Sequence, residues 1–137
     1  MNEERGLLDT NIVILLPRLT DASTLPRVSL ISAITLAELS AGPLLAGDEA
    51  ERSARQAELQ EAEVSFETLP FDAAAARAYG QVVSSLRRAG RKGSSRTYDA
   101  MIAATAIANG LPLFTCNPDD FAGIDDLSVV AIPHPDA

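Results

Sequence analysis

The chain has 137 residues, 47% of them apolar, with one Cys, one His and a formal net charge of −8. That length predicts one domain, residues 1–137, around one core. The composition excludes a disulfide framework, a Cys/His zinc site, a membrane-spanning run and a surface that grips nucleic acid over its whole area; one thiol and no signal peptide ahead of Asp9 predict a cytoplasmic protein.

Residues 6–9 read as a short buried strand ending at Asp9, apolar enough to predict a parallel sheet covered on both faces. Asn11 to about Leu16 begins a short helix that Pro17 stops. Val28 to Ile34 reads as a second buried strand, and Thr35-Leu-Ala-Glu38 opens a helix closed by Gly42-Pro43. Residues 48–63 are charged, Ala-rich and helical, with few core contacts. Phe66 to Leu69 is a short strand. Asp72 caps a long helix running to about Ala89. A basic loop follows, then a nearly apolar helix from Thr97 to Asn109, closed by Asn109-Gly110. Pro112 to Thr115 and Val129 to Ile132 are the last strands, and the tail HPDA is expected to be frayed. Strands alternating with helices predict α/β architecture with a mainly parallel central sheet flanked by helices.

In such sheets, sites form at the carboxyl ends of the strands. Asp9 ends the first strand. Glu38 is expected in the first turn of the helix after the second, and Asp99 in the first turn of the apolar helix. Asn117, Asp119 and Asp120 follow the strand PLFT. Carboxylates gathered at one edge repel each other, and a divalent cation removes the conflict; an all-oxygen donor set selects Mg²⁺, with Mn²⁺ as the alternative. Structural readings stand beside the functional ones. Thr35-x-x-Glu38 matches a capping box, Asp99 complements a helix dipole, and Asp119 suits a turn. Asp9, inside LLDTNIVILL, has no evident structural use. Thr10, Thr35 and Thr115 read as local hydrogen-bonders. Cys116 reads as a small buried side chain and His134 as a solvated one. Five of the eleven basic residues, Arg87, Arg88, Arg91, Lys92 and Arg96, fall in one stretch. That stretch is either a solvated helix end or a phosphate-binding rim.

LLDTNIVILL, then ITLAEL, then YDAMIAATAIANGLPLFTCNPDDF together resemble a PIN-domain ribonuclease, and more narrowly the VapC toxins of bacterial type II toxin–antitoxin pairs. The resemblance covers nearly the whole chain. It implies a three-layer fold and Mg²⁺-dependent cleavage of RNA, often tRNA or ribosomal RNA. It matches Asp9 to the first metal-binding Asp, Asp99 to the second and Glu38 to the acidic residue of the second helix. For the fourth acid it points to Asp120, with Asn117, Thr10, Asn11 and Thr115 in support. It also implies a homodimer and a cognate VapB-type antitoxin whose C-terminal segment enters the acidic groove. The Arg residues of 87–96 are expected to offset phosphate repulsion from an otherwise acidic protein. A non-cleaving PIN-fold module that binds RNA or protein is the alternative. A haloacid-dehalogenase phosphatase needs D-x-D where this chain has D-T-N, and there is no G-x-x-x-x-G-K-[ST] loop.

Overall fold

A computed structural model describes residues 4–19, 21–91 and 96–136. Five strands form one sheet: β1 (Arg5–Leu8), β2 (Val28–Ser32), β3 (Glu67–Leu69), β4 (Leu113–Thr115) and β5 (Val129–Ala131). Their order is β3-β2-β1-β4-β5, and every pairing is parallel. Among the described residues five α-helices connect them: α1 (Thr10–Leu15), α2 (Ala33–Ala41), α3 (Glu49–Ser65), α4 (Ala73–Arg88) and α5 (Thr97–Ala108).

Successive strand residues point to opposite faces, and here each face has its own core. Leu7, Leu30 and Leu113 pack with Val82 and Leu86 of α4 and with the small side chains of α5. Leu8, Ile31 and Phe114 pack with Ile12 and Val13 of α1, Leu39 of α2 and Ala62 of α3. The molecule therefore has three layers and two cores where the chain length alone predicted one. Leu59, Ala62 and Phe66 join the second core, so α3 contributes more packing than its charged sequence suggests.

Several boundaries move. β1 stops at Leu8, one residue before Asp9, because Asp9 caps the next helix. β2 stops at Ser32, whose hydroxyl accepts the Thr35 amide at 3.0 Å and starts α2 two residues earlier than expected. The first α-helix ends at Leu15, just before Pro17, as expected. Pro17 sits inside a 3₁₀ turn, Leu16–Arg18, where its missing N–H costs nothing. Asp72 caps α4 as expected. In the tail, Asp136 pairs with Arg18 at the surface and its amide donates to His134 Nδ1 at 3.1 Å.

Gly6 shows how tightly the sheet is covered. A Cβ built there would lie 2.4 Å from the Phe114 ring and 3.0 Å from the Pro26 ring. Gly6→Ala is therefore expected to destabilise the fold by about 1–3 kcal/mol through overpacking. Chemical denaturation checks this, and an unchanged midpoint would mean that Phe114 yields freely.

Strand addition runs β1, β2, β3 to one side and β4, β5 to the other. The switch point lies between β1 and β4, whose carboxyl ends flank a natural crevice.

Candidate active site

Asp9 enters this crevice directly from β1. It is 4% exposed and serves as N-cap of α1, a structural use that sequence reading missed. Its Oδ1 accepts the Thr10 amide at 2.8 Å, and its Oδ2 accepts the Thr115 hydroxyl at 2.9 Å. Thr115 in turn accepts the Asn117 amide at 2.9 Å, so Asn117 supports the site through its backbone. Burial pushes the Asp9 carboxyl above its ordinary range. Repulsion from Glu38 and Asp120 adds to this, and the two hydrogen bonds only partly oppose it.

Asp99 occupies the first turn of α5, as expected. Its pKa is pushed up to about 6, first by burial and then by repulsion from Asp9, Asp120 and Glu38; Arg96 pulls the other way. Glu38 corrects the sequence reading. It is the sixth residue of α2, not in the first turn, and no capping box forms, because Ser32 rather than Thr35 is the N-cap. Its carboxylate instead accepts the Thr10 hydroxyl at 2.7 Å, bridging α2 to α1. Asp120 lies in a 3₁₀ turn, Pro118–Phe121, and pairs with Arg96 at 3.1 Å. Asp119 shares that turn but is exposed, and it does not act on Asp9 or Asp99 as Asp120 does.

The fold thus brings Asp9, Glu38, Asp99 and Asp120 into one electrostatic neighbourhood from four separate chain segments. Among the described residues, no three Asp, Glu, His or Cys side chains converge closely enough to cage an ion directly. The mutual repulsion of the four carboxylates is what a divalent cation held among them would relieve. The donor chemistry, carboxylate and hydroxyl oxygen throughout, also fits a hard cation.

The basic stretch is less free than its sequence implies. Arg88 pairs with Asp125 at 2.7 Å and Arg96 with Asp120, whereas Arg87 is exposed and Arg91 half-buried. Lys92 lies outside the described residues. Cys116 is half-buried against the second core, and burial raises its thiol pKa.

Beside Glu38, a groove of about 370 Å³ is lined by Thr10, Asn11, Arg55 and Glu58 among others. Through Ile14 and Glu58 it continues into an apolar trough of about 480 Å³ between α1 and α3, lined by Val13, Leu16, Pro17 and Phe66. Sequence reading missed Ser32 and Arg55 as site neighbours, whereas Thr35 is the local hydrogen-bonder it was read as. Ser32-x-x-Thr35 is a legible helix start that the apolar run through Ile34 concealed.

Residues 7–127 match the family model described as PIN domain. Ribonuclease VapC5 of Mycobacterium tuberculosis is 37% identical over 129 residues, 93% of each chain. The tRNA(fMet)-specific endonuclease VapC of Shigella flexneri is 34% identical over 128 residues, 88% of this chain and 92% of that one. The crystal structure of VapBC-5 from M. tuberculosis, a member of the VapBC toxin–antitoxin systems, superposes with a TM-score of 0.82 at 32% identity. The match covers 94% of this chain and 99% of that one.

Proposed function

This chain belongs to the PIN-domain family, among the VapC ribonucleases of toxin–antitoxin systems, and we propose that it is a Mg²⁺-dependent endoribonuclease toxin, acting in the cytoplasm on tRNA or ribosomal RNA and silenced by a cognate VapB-type antitoxin. The observation that carries this reading is the shared repulsion of Asp9, Glu38, Asp99 and Asp120 at the sheet's switch point. No membrane enters the reading; among the described residues no helix is long and apolar enough to cross one.

Asp9 and Asp99 are the residues that would hold Mg²⁺, with Glu38 and Asp120 beside them. When bound, the ion supplies positive charge to the scissile phosphate and a more acidic water. Asp9 is held in one orientation by Thr10 and Thr115, and Glu38 by Thr10. Glu38 and Asp120 orient a water for in-line attack on phosphorus; its proton passes to a carboxylate as the new P–O bond forms, and the bridging P–O bond breaks on the far side, its oxygen leaving as a sugar hydroxyl with a proton taken from solvent water. Arg87 and Arg91 meet the RNA backbone first. Arg88 and Arg96 reach it only by exchanging their carboxylate partners for phosphate.

The antitoxin reading rests on the groove. Its charged end, at Glu38 and Glu58 with Arg55 already paired to Glu51, leads into the apolar trough beyond Ile14. That sequence of surfaces fits a segment carrying an Arg followed by apolar side chains. A homodimer would cover the exposed Leu44 and Leu45, at 86% and 76% exposure, or Val64 of α3.

Purified chain, freed of any antitoxin and incubated with total bacterial RNA and Mg²⁺, is expected to yield discrete fragments. EDTA should abolish them, and added Mg²⁺ or Mn²⁺ should restore them. RNA that is bound but uncut under every divalent cation would replace this reading with the non-cleaving module.

A further inference from the structure

Four hydroxyl and carboxylate groups form a chain that runs from the start of α2 to the Glu38 carboxylate. The Thr10 hydroxyl donates to Glu38 Oε1 at 2.7 Å. The Thr10 and Thr35 hydroxyl oxygens are 2.9 Å apart, and the Ser32 hydroxyl lies 3.3 Å from that of Thr35. Ser32 and Thr35 are 0% exposed and Thr10 is 8% exposed.

Proton counting sets the direction of this chain. Each hydroxyl has one proton to give. Thr10 gives its proton to Glu38, so it must accept from Thr35. Thr35 then has none left for Ser32, so it accepts from Ser32. The Ser32 oxygen accepts the Thr35 amide as the helix N-cap, leaving its own proton for Thr35. Every donation points toward the carboxylate, and bonds aligned this way polarise one another.

We propose that Thr35, too buried to touch RNA, is a positioning residue: its hydroxyl fixes the Thr10 hydroxyl toward Glu38 and so holds that carboxylate in its working orientation. This rests on the ribonuclease reading for its consequence, but not for its geometry. Without Thr35's hydroxyl, the Thr10 oxygen loses the proton donated to it, and with that the contact that sets its rotation and polarises its bond to Glu38. Glu38, on the wall of an open groove, is then left with a weaker and less fixed partner.

The test compares Thr35→Val, which keeps the shape and removes the hydroxyl, with Thr35→Ser, which keeps the hydroxyl. The metal-free proteins are read by NMR for exchange of the Thr10 hydroxyl proton and its contact to Glu38. The same proteins are then assayed for RNA cleavage with Mg²⁺, with melting temperatures recorded in parallel. Thr35→Val is expected to lose the slowly exchanging Thr10 proton and to lower kcat about tenfold, with KM for RNA unchanged. Thr35→Ser is expected to retain the proton and to cleave within about threefold of the parent. An unaltered Thr10 proton in Thr35→Val overturns the proposal. So does a Thr35→Ser variant as defective as Thr35→Val, since packing rather than the hydroxyl would then be responsible. Should Thr35→Val not fold, Thr35→Ala takes its place under the same criteria. If the parent itself leaves RNA intact, the ribonuclease reading fails, while the Thr10 proton still decides the positioning role.

Discussion

Asp9→Asn is expected to lower Mg²⁺-dependent RNA cleavage by on the order of 100- to 1,000-fold while making the metal-free protein more stable. The first effect follows from removing a charged oxygen ligand, a loss of about 3–4 kcal/mol in the transition state. The second follows from the electrostatics of the site. Burial and the repulsion of Glu38 and Asp120 together outweigh the hydrogen bonds from Thr115 and Thr10, so the ionised Asp9 is a net burden on the fold. Asn keeps the shape, keeps an oxygen for the Thr10 amide and removes the charge. Melting curves in EDTA beside cleavage assays check both parts. A variant that is both inactive and less stable would show that Asp9's role as N-cap of α1 dominates.

The metal-free protein is expected to lose stability as pH rises through about 4 to 6, and a divalent cation should reverse that loss. Asp99 is the clearest group. Its pKa is raised from 3.8 to about 6 in the fold. Below about pH 4 folded and unfolded chains both hold its proton, so nothing is lost. Between the two values the unfolded chain has released the proton and the folded site has not, so stability falls with rising pH, and above about 6 the loss is complete. Asp9, shifted in the same direction, adds to it. A cation replaces the missing protons. At 100 times its dissociation constant, Mg²⁺ should add about 2.7 kcal/mol, or roughly 5–10 °C in melting temperature, at pH 8. At pH 5 it must first displace the Asp99 proton, which weakens binding about tenfold per pH unit below 6, so the gain should shrink markedly. A metal-induced rise equal at both pH values would exclude these carboxylates as the binding site. Calorimetric scans with and without Mg²⁺ at pH 5 and 8 decide it.

Much of this molecule was legible in one dimension. Residues 6–9, 28–34 and 112–115 are runs too short for helices and too continuous for a half-wet sheet, and each contains a strand with a core on each face. Asp72 and Asn109-Gly110 mark helix ends by local chemistry, and the structure places both there. Local signals failed where two competed. The apolar run through Ile34 hid the Ser32 cap, and that displaced Glu38 from the middle of α2 to its first turn. The basic stretch read as free charge because its partners, Asp120 and Asp125, come from 24 and 37 residues further on.

By itself, then, the sequence determined the alternating strands and helices, the parallel sheet and the identity of the acidic residues at strand ends. These depend on hydrophobic period and capping, which act over a few residues. Only the tertiary structure decided that Asp9, Glu38, Asp99 and Asp120 feel one another's charge, that Asp99 titrates near 6, and that a buried threonine stands behind Glu38. Repulsion and burial depend on distance in space, and the distances here are set by strands paired in the order β3-β2-β1-β4-β5, an order that local sequence pattern does not encode.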